Sequence, residues 1–65
     1  MIKAIFLLYR KNGQDVLHLS IPAAPAKGDL VYVDGSMYKV SDLCWQFNTN
    51  PGEEHKIAIT LNQVD

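Results

Sequence analysis

The chain reads as all-β, a small five-stranded antiparallel barrel or strongly bent sheet. Three observations predict this: two glycine-bearing hairpin turns, Asn12-Gly13 and Asp34-Gly35, apolar residues that alternate with period two, and no ten-residue stretch of helical periodicity. Sixty-five residues make one domain, 1–65. A chain this short buries only about 60% of the surface its unfolded form exposes, so a very compact barrel or self-association has to add stability. A disulfide within the chain is excluded, because Cys44 is the only cysteine.

The first hairpin is built around Asn12-Gly13, since both central residues of a type I′ turn need positive φ. With those two residues as the loop, Lys11 faces Gln14, Arg10 faces Asp15, Tyr9 faces Val16, Leu8 faces Leu17, Leu7 faces His18 and Phe6 faces Leu19. Opposed residues share a face. One face then carries Ile2, Ala4, Phe6, Leu8, Leu17, Leu19 and Ile21 and is the expected core; the other carries Ile5, Leu7, Tyr9, Val16, His18 and Ser20. Both are apolar, where a solvated face would show Lys, Glu and Thr.

Pro22 and Pro25 break the sheet, because neither donates a ladder hydrogen bond, and 21–29 reads as an extended crossing loop. Asp34-Gly35 then closes a second hairpin between 30–33 and 36–40, with Val31, Val33, Tyr38 and Val40 on the core side and Leu30, Tyr32, Met37 and Lys39 opposite. Beyond Val40 the apolar positions change phase to Leu43, Trp45 and Phe47, which an unbroken strand cannot do, so Ser41-Asp42 holds a bulge or bend. Residues 48–53 form a loop with a Pro51-Gly52 turn signal. The last strand sets Ile57, Ile59 and Leu61 on one face and Lys56, Ala58, Thr60 and Asn62 on the other. Met1 leads directly into the first strand and the last runs nearly to Asp65, which reads as a complete small gene product.

The stretch from Pro25 to Trp45 has Pro25, Gly28-Asp29, the strand Leu30–Val33, the turn at Gly35, Tyr38-Lys39-Val40 and Trp45 in that order. It resembles a pattern in many short uncharacterised proteins of bacteriophages and mobile elements that form a small barrel of the Src homology three type. The resemblance covers about a third of the chain. It implies the architecture and a phage origin. Barrels of this kind bind peptides, nucleic acids or copies of themselves, so it does not choose a function.

The charge is −1, from six basic and seven acidic residues scattered along the chain, a poor footprint for nucleic acid. Tyr9, Tyr32, Trp45 and Phe47 offer stacking surfaces, but no basic set interleaves with them, and Trp45 and Phe47 are expected in the core. The apolar run Ala4–Leu8 is too short for a signal-peptide core or a membrane span. The reading is a soluble cytoplasmic protein, in the host cytoplasm if phage-encoded. A lone cysteine fits a reducing compartment, and Cys44 reads as a small buried hydrophobe. His18, Cys44 and His55 lack metal-ligand spacing, Ser20, Ser36, Ser41 and Cys44 lack a nucleophile signature, and all four glycines sit in turns instead of a phosphate loop. No metal, cofactor or enzymatic activity is expected. The expectation is a non-enzymatic, phage-encoded binding protein that self-associates and acts through protein contacts in a virion or accessory role. Its interaction surface is Ile5, Leu7, Tyr9, Val16 and His18, with Tyr32 and Met37 as further contacts, because contiguous apolar patches mark interfaces and aromatics and Met are enriched there. An inhibitor of a host defence protein and a nucleic-acid-binding barrel are the alternatives.

Overall fold

The computed structural model describes residues 1–64 and is all-β. Its five strands are β1 (Ile2–Arg10), β2 (Gly13–Ile21), β3 (Leu30–Val33), β4 (Ser36–Gln46) and β5 (Lys56–Gln63). They form one sheet in the order β2-β1-β5-β4-β3, curled into a half-barrel. Three ladders are antiparallel, as hairpins require, while β1 and β5 run parallel. The last strand therefore enters the middle of the sheet, where its alternating Ile57, Ile59 and Leu61 are 0% exposed. Ala4, Phe6, Leu8, Tyr38 and Val40 complete the buried cluster on the concave side, and Leu17, Ile21, Val31, Val33 and Leu43 pack around it half-buried.

The first hairpin corrects the expected register by two residues. Lys11-Asn12 is the loop, Arg10 faces Gly13, Tyr9 faces Gln14, Leu7 faces Val16, Phe6 faces Leu17 and Ile2 faces Ile21. Asn12 has no positive φ; Gly13 takes φ 155 instead. Proline explains the choice. The expected register sets Lys3 opposite Pro22, which has no N–H, whereas the observed one ends its ninth pair at Ile21 and leaves Pro22 outside. A slip of two keeps side-chain parity, so every face assignment survives it. The Arg10–Asp15 attraction also survives, as a diagonal: Nη1 of Arg10 lies 3.1 Å from Oδ2 of Asp15. Nε–H of Arg10 donates to the hydroxyl of Tyr38 at 2.9 Å, giving that buried phenol its partner at the end of the core.

The second hairpin forms as expected, with Val33 facing Ser36 across Asp34 (φ 51) and Gly35 (φ 85). Nothing lies within 4 Å of a Cβ added at Gly35. The cost of a side chain there is thus purely conformational, and Gly35→Val should lose about 1–2 kcal/mol, measurable as a lower urea midpoint with an unchanged slope. The phase change in β4 is a bulge: Val40 faces Leu61 while Asp42 faces Thr60, leaving Ser41 as the extra residue. Its hydroxyl donates to the Thr60 carbonyl at 3.3 Å and accepts from Nδ2 of Asn62 at 2.7 Å, which ties the bulge to β5. The crossing loop is fastened to the same place, since the Gly28 amide donates to the Val40 carbonyl at 2.8 Å and the Val40 amide to the Asp29 carbonyl at 2.9 Å.

Candidate interaction surface

On the convex side the sheet register lays out the sequence-predicted residues in rows. Ile5 lies between His18 of β2 and Ala58 of β5, Leu7 between Val16 and Thr60, and Tyr9 between Gln14 and Asn62. Among the described residues nothing packs over them: Val16 is 53% and Tyr9 39% exposed, and Ile5 and Leu7 are half-buried by their neighbours in the sheet. Tyr32 and Met37 do not join this patch. They face each other across β3 and β4, at the far margin of the sheet, with Thr60, Asn62, Lys39 and Asp42 between. Leu30 and Val64 stand beside them, the Val64 amide donating to the Met37 carbonyl at 3.0 Å, so the far margin is a second apolar patch. Val64 went unnoticed in sequence because it lies past the last alternating residue.

Three core expectations are overturned: Leu19, on the edge strand β2, is 50% exposed, and two lie at the end of β4. Trp45 is 43% and Phe47 67% exposed. Parity had the face right, since Trp45 sits opposite Ile57 and Leu43 opposite Ile59. Depth was wrong because β3 pairs β4 only as far as Lys39, so the far half of β4 is a sheet margin with no strand paired beyond it among the described residues. Trp45 and Phe47 stack on each other instead, ring centroids 5.8 Å apart and planes within 6°, and His55 meets Phe47 edge-on at 5.2 Å. Exposed as it is, His55 accepts the Asn48 amide on Nδ1 at 3.2 Å, and Nδ2 of Asn48 donates to the Glu54 carbonyl at 2.6 Å, so the loop 47–55 is cross-braced. Lys3 and Glu54 form an ion pair at 3.0 Å, but with both ends well exposed it adds little.

Cys44, expected to be buried, is exposed on the convex side opposite Ala58, because the bulge moves it to the face that Leu43 and Trp45 leave. The three residues weighed as metal ligands are dispersed, on β2, on β4 and in the loop before β5. Among the described residues no three His, Cys, Asp or Glu side chains converge, and no helix is long and apolar enough to cross a membrane. Comparison of the chain with protein-family models, with curated proteins and with solved structures gives no match.

Proposed function

We propose that this chain is a non-enzymatic binding protein that works through protein contacts, self-association among them, made by the convex face of its first hairpin. The observation that carries this is the uncovered row of Ile5, Leu7, Tyr9 and Val16, with His18 beside it. Overall shape supports it. The radius of gyration is 12.4 Å with extents of 42 × 20 × 17 Å, against about 11 Å for a self-sufficient domain of this length. Covering about 400 Å² of apolar patch yields on the order of 10 kcal/mol gross, of the same size as the roughly 4–15 kcal/mol that association costs. Contacts here are therefore concentration-dependent instead of obligate. The far patch, Tyr32 and Met37, supplies further contact in the same reading, which keeps the phage or mobile-element origin implied by the Pro25–Trp45 pattern.

Light scattering across a dilution series tests this. The weight-average mass should rise with concentration, and Leu7→Asp should lower it without loss of the far-ultraviolet β signal. A strict monomer at high micromolar concentration removes the self-association claim. A second reading draws support from the exposed Trp45–Phe47 stack, on which single-stranded bases would stack; Glu53 and Glu54 at the same rim oppose phosphate. Quenching of Trp45 fluorescence by an oligothymidylate, weakening steeply with salt, is the result that would favour it.

A further inference from the structure

A half-barrel leaves two strand edges and an open groove, and here the three lie together. β2 and β3 each have one side with no paired strand among the described residues. No Cα of β2 comes within 8 Å of a Cα of β3, whereas paired strands run about 4.8 Å apart, so the chain does not close its own seam. The seam is mostly apolar: Leu17, Leu19 and Ile21 from one side and Val31 and Val33 from the other line a groove of about 360 Å³, with Asp34 at its β3 end and Leu19 50% exposed. β2 also has few of the usual protections of an edge, Asp15 on its concave side being the one charge. Its nine residues contain no proline and no register shift, and its one acid, Asp15, is held by Arg10 of the same chain.

We propose that two copies of this chain close into one ten-stranded barrel about a two-fold axis through the seam, β2 against β2 and β3 against β3 of the second copy. The occupant is a second copy because the two edges differ in length, nine residues and four, and a two-fold matches each to its own equal while laying groove on groove. On β2 charge permits the match, while on β3 the flanking Asp29 and Asp34 oppose a full overlap of Leu30–Val33 and confine that contact to the apolar residues. Full antiparallel overlap of Gly13–Ile21 sets Leu17 against Leu17 and holds the two Asp15 residues four positions, roughly 14 Å, apart, beyond the screening length of about 8 Å. The seam is a different surface from the convex face, and the proposal stands apart from that reading.

The test is a cross-link that only this register allows. Opposed Cα atoms of paired strands lie about 4.5–5.5 Å apart, inside the disulfide range of roughly 4.4–6.8 Å. In a Cys44→Ser background, Leu17→Cys should oxidise to a covalent dimer several-fold faster than Thr49→Cys in the exposed loop. The cross-link should persist when Leu7→Asp is added, and Leu19→Asp, at a half-exposed site, should raise the dilution midpoint of the non-covalent dimer at least tenfold while the β signal is kept. Cross-linking no faster than the Thr49→Cys control, or a midpoint indifferent to Leu19→Asp, overturns the closed barrel and leaves the seam to a foreign strand. Loss of association on Leu7→Asp alone, with no cross-link in the Leu17→Cys variant, sinks the seam and keeps the convex face; a fast cross-link with no effect of Leu7→Asp does the reverse.

Discussion

Phe6→Asp should leave no folded population in water, while Leu7→Asp, one residue along the same strand, keeps the fold. Phe6 is 7% exposed on the concave side among Ala4, Leu8 and the β5 core residues. Removing its ring forfeits roughly 3 kcal/mol of burial, and a carboxylate in that place adds several more for desolvation. A 65-residue domain has little beyond the lower end of the usual 5–15 kcal/mol to lose. Leu7 lies on the convex side, half-buried by its neighbours, where a carboxylate still reaches water and costs the fold far less than one at Phe6. Far-ultraviolet circular dichroism with a urea titration distinguishes the two outcomes; an unfolded Leu7→Asp would mean that the convex face is covered after all.

The second large effect lies in β5. Ile59→Ala is expected to cost about 3–4 kcal/mol, because the side chain is fully buried in the central strand and the cavity it leaves is walled by strands on both sides. Leu19→Ala, at a half-exposed place on the edge strand, should cost less than about 1 kcal/mol. Urea midpoints at a constant slope give both numbers. Similar costs at the two sites would contradict the gradient of burial from the middle of the sheet to its β2 margin.

Much of the fold was legible in the residues themselves, because turns, bulge and faces follow from local rules. Asp34-Gly35 dictates its turn, the even-to-odd phase change of Val40 and Leu43 dictates the bulge at Ser41, and parity assigns both faces of every strand. Parity is blind to three other things. It does not see a slip of two, so the first hairpin needed Pro22 to decide its register. Nor does it reveal which strands are neighbours, so the parallel insertion of β5 between β1 and β4 was not foreseen. Depth escapes it too: Trp45, Phe47 and Leu19 lie on the core side of a sheet that ends or opens beside them, and are exposed for that reason. For the candidate surface, parity placed Ile5, Leu7, Tyr9, Val16 and His18 together but could not show that four intervening side chains separate them from Tyr32 and Met37.

The position of β5 also sets the order in which this molecule is able to assemble. The β1–β2 and β3–β4 hairpins are local and each closes on a microsecond scale, yet they share no ladder; β5 is the strand that pairs with both. During synthesis at about 5–20 residues per second the first hairpin emerges roughly 2–7 s and the second roughly 0.5–2 s before Lys56 does, and an isolated hairpin is marginal in water. The nascent chain therefore waits as two unjoined halves with apolar sides uncovered, and acquires its sheet in a single step when Ile57, Ile59 and Leu61 arrive. A mutation in β5 accordingly slows folding as well as weakening the folded state, whereas one at the β2 edge mainly hastens unfolding.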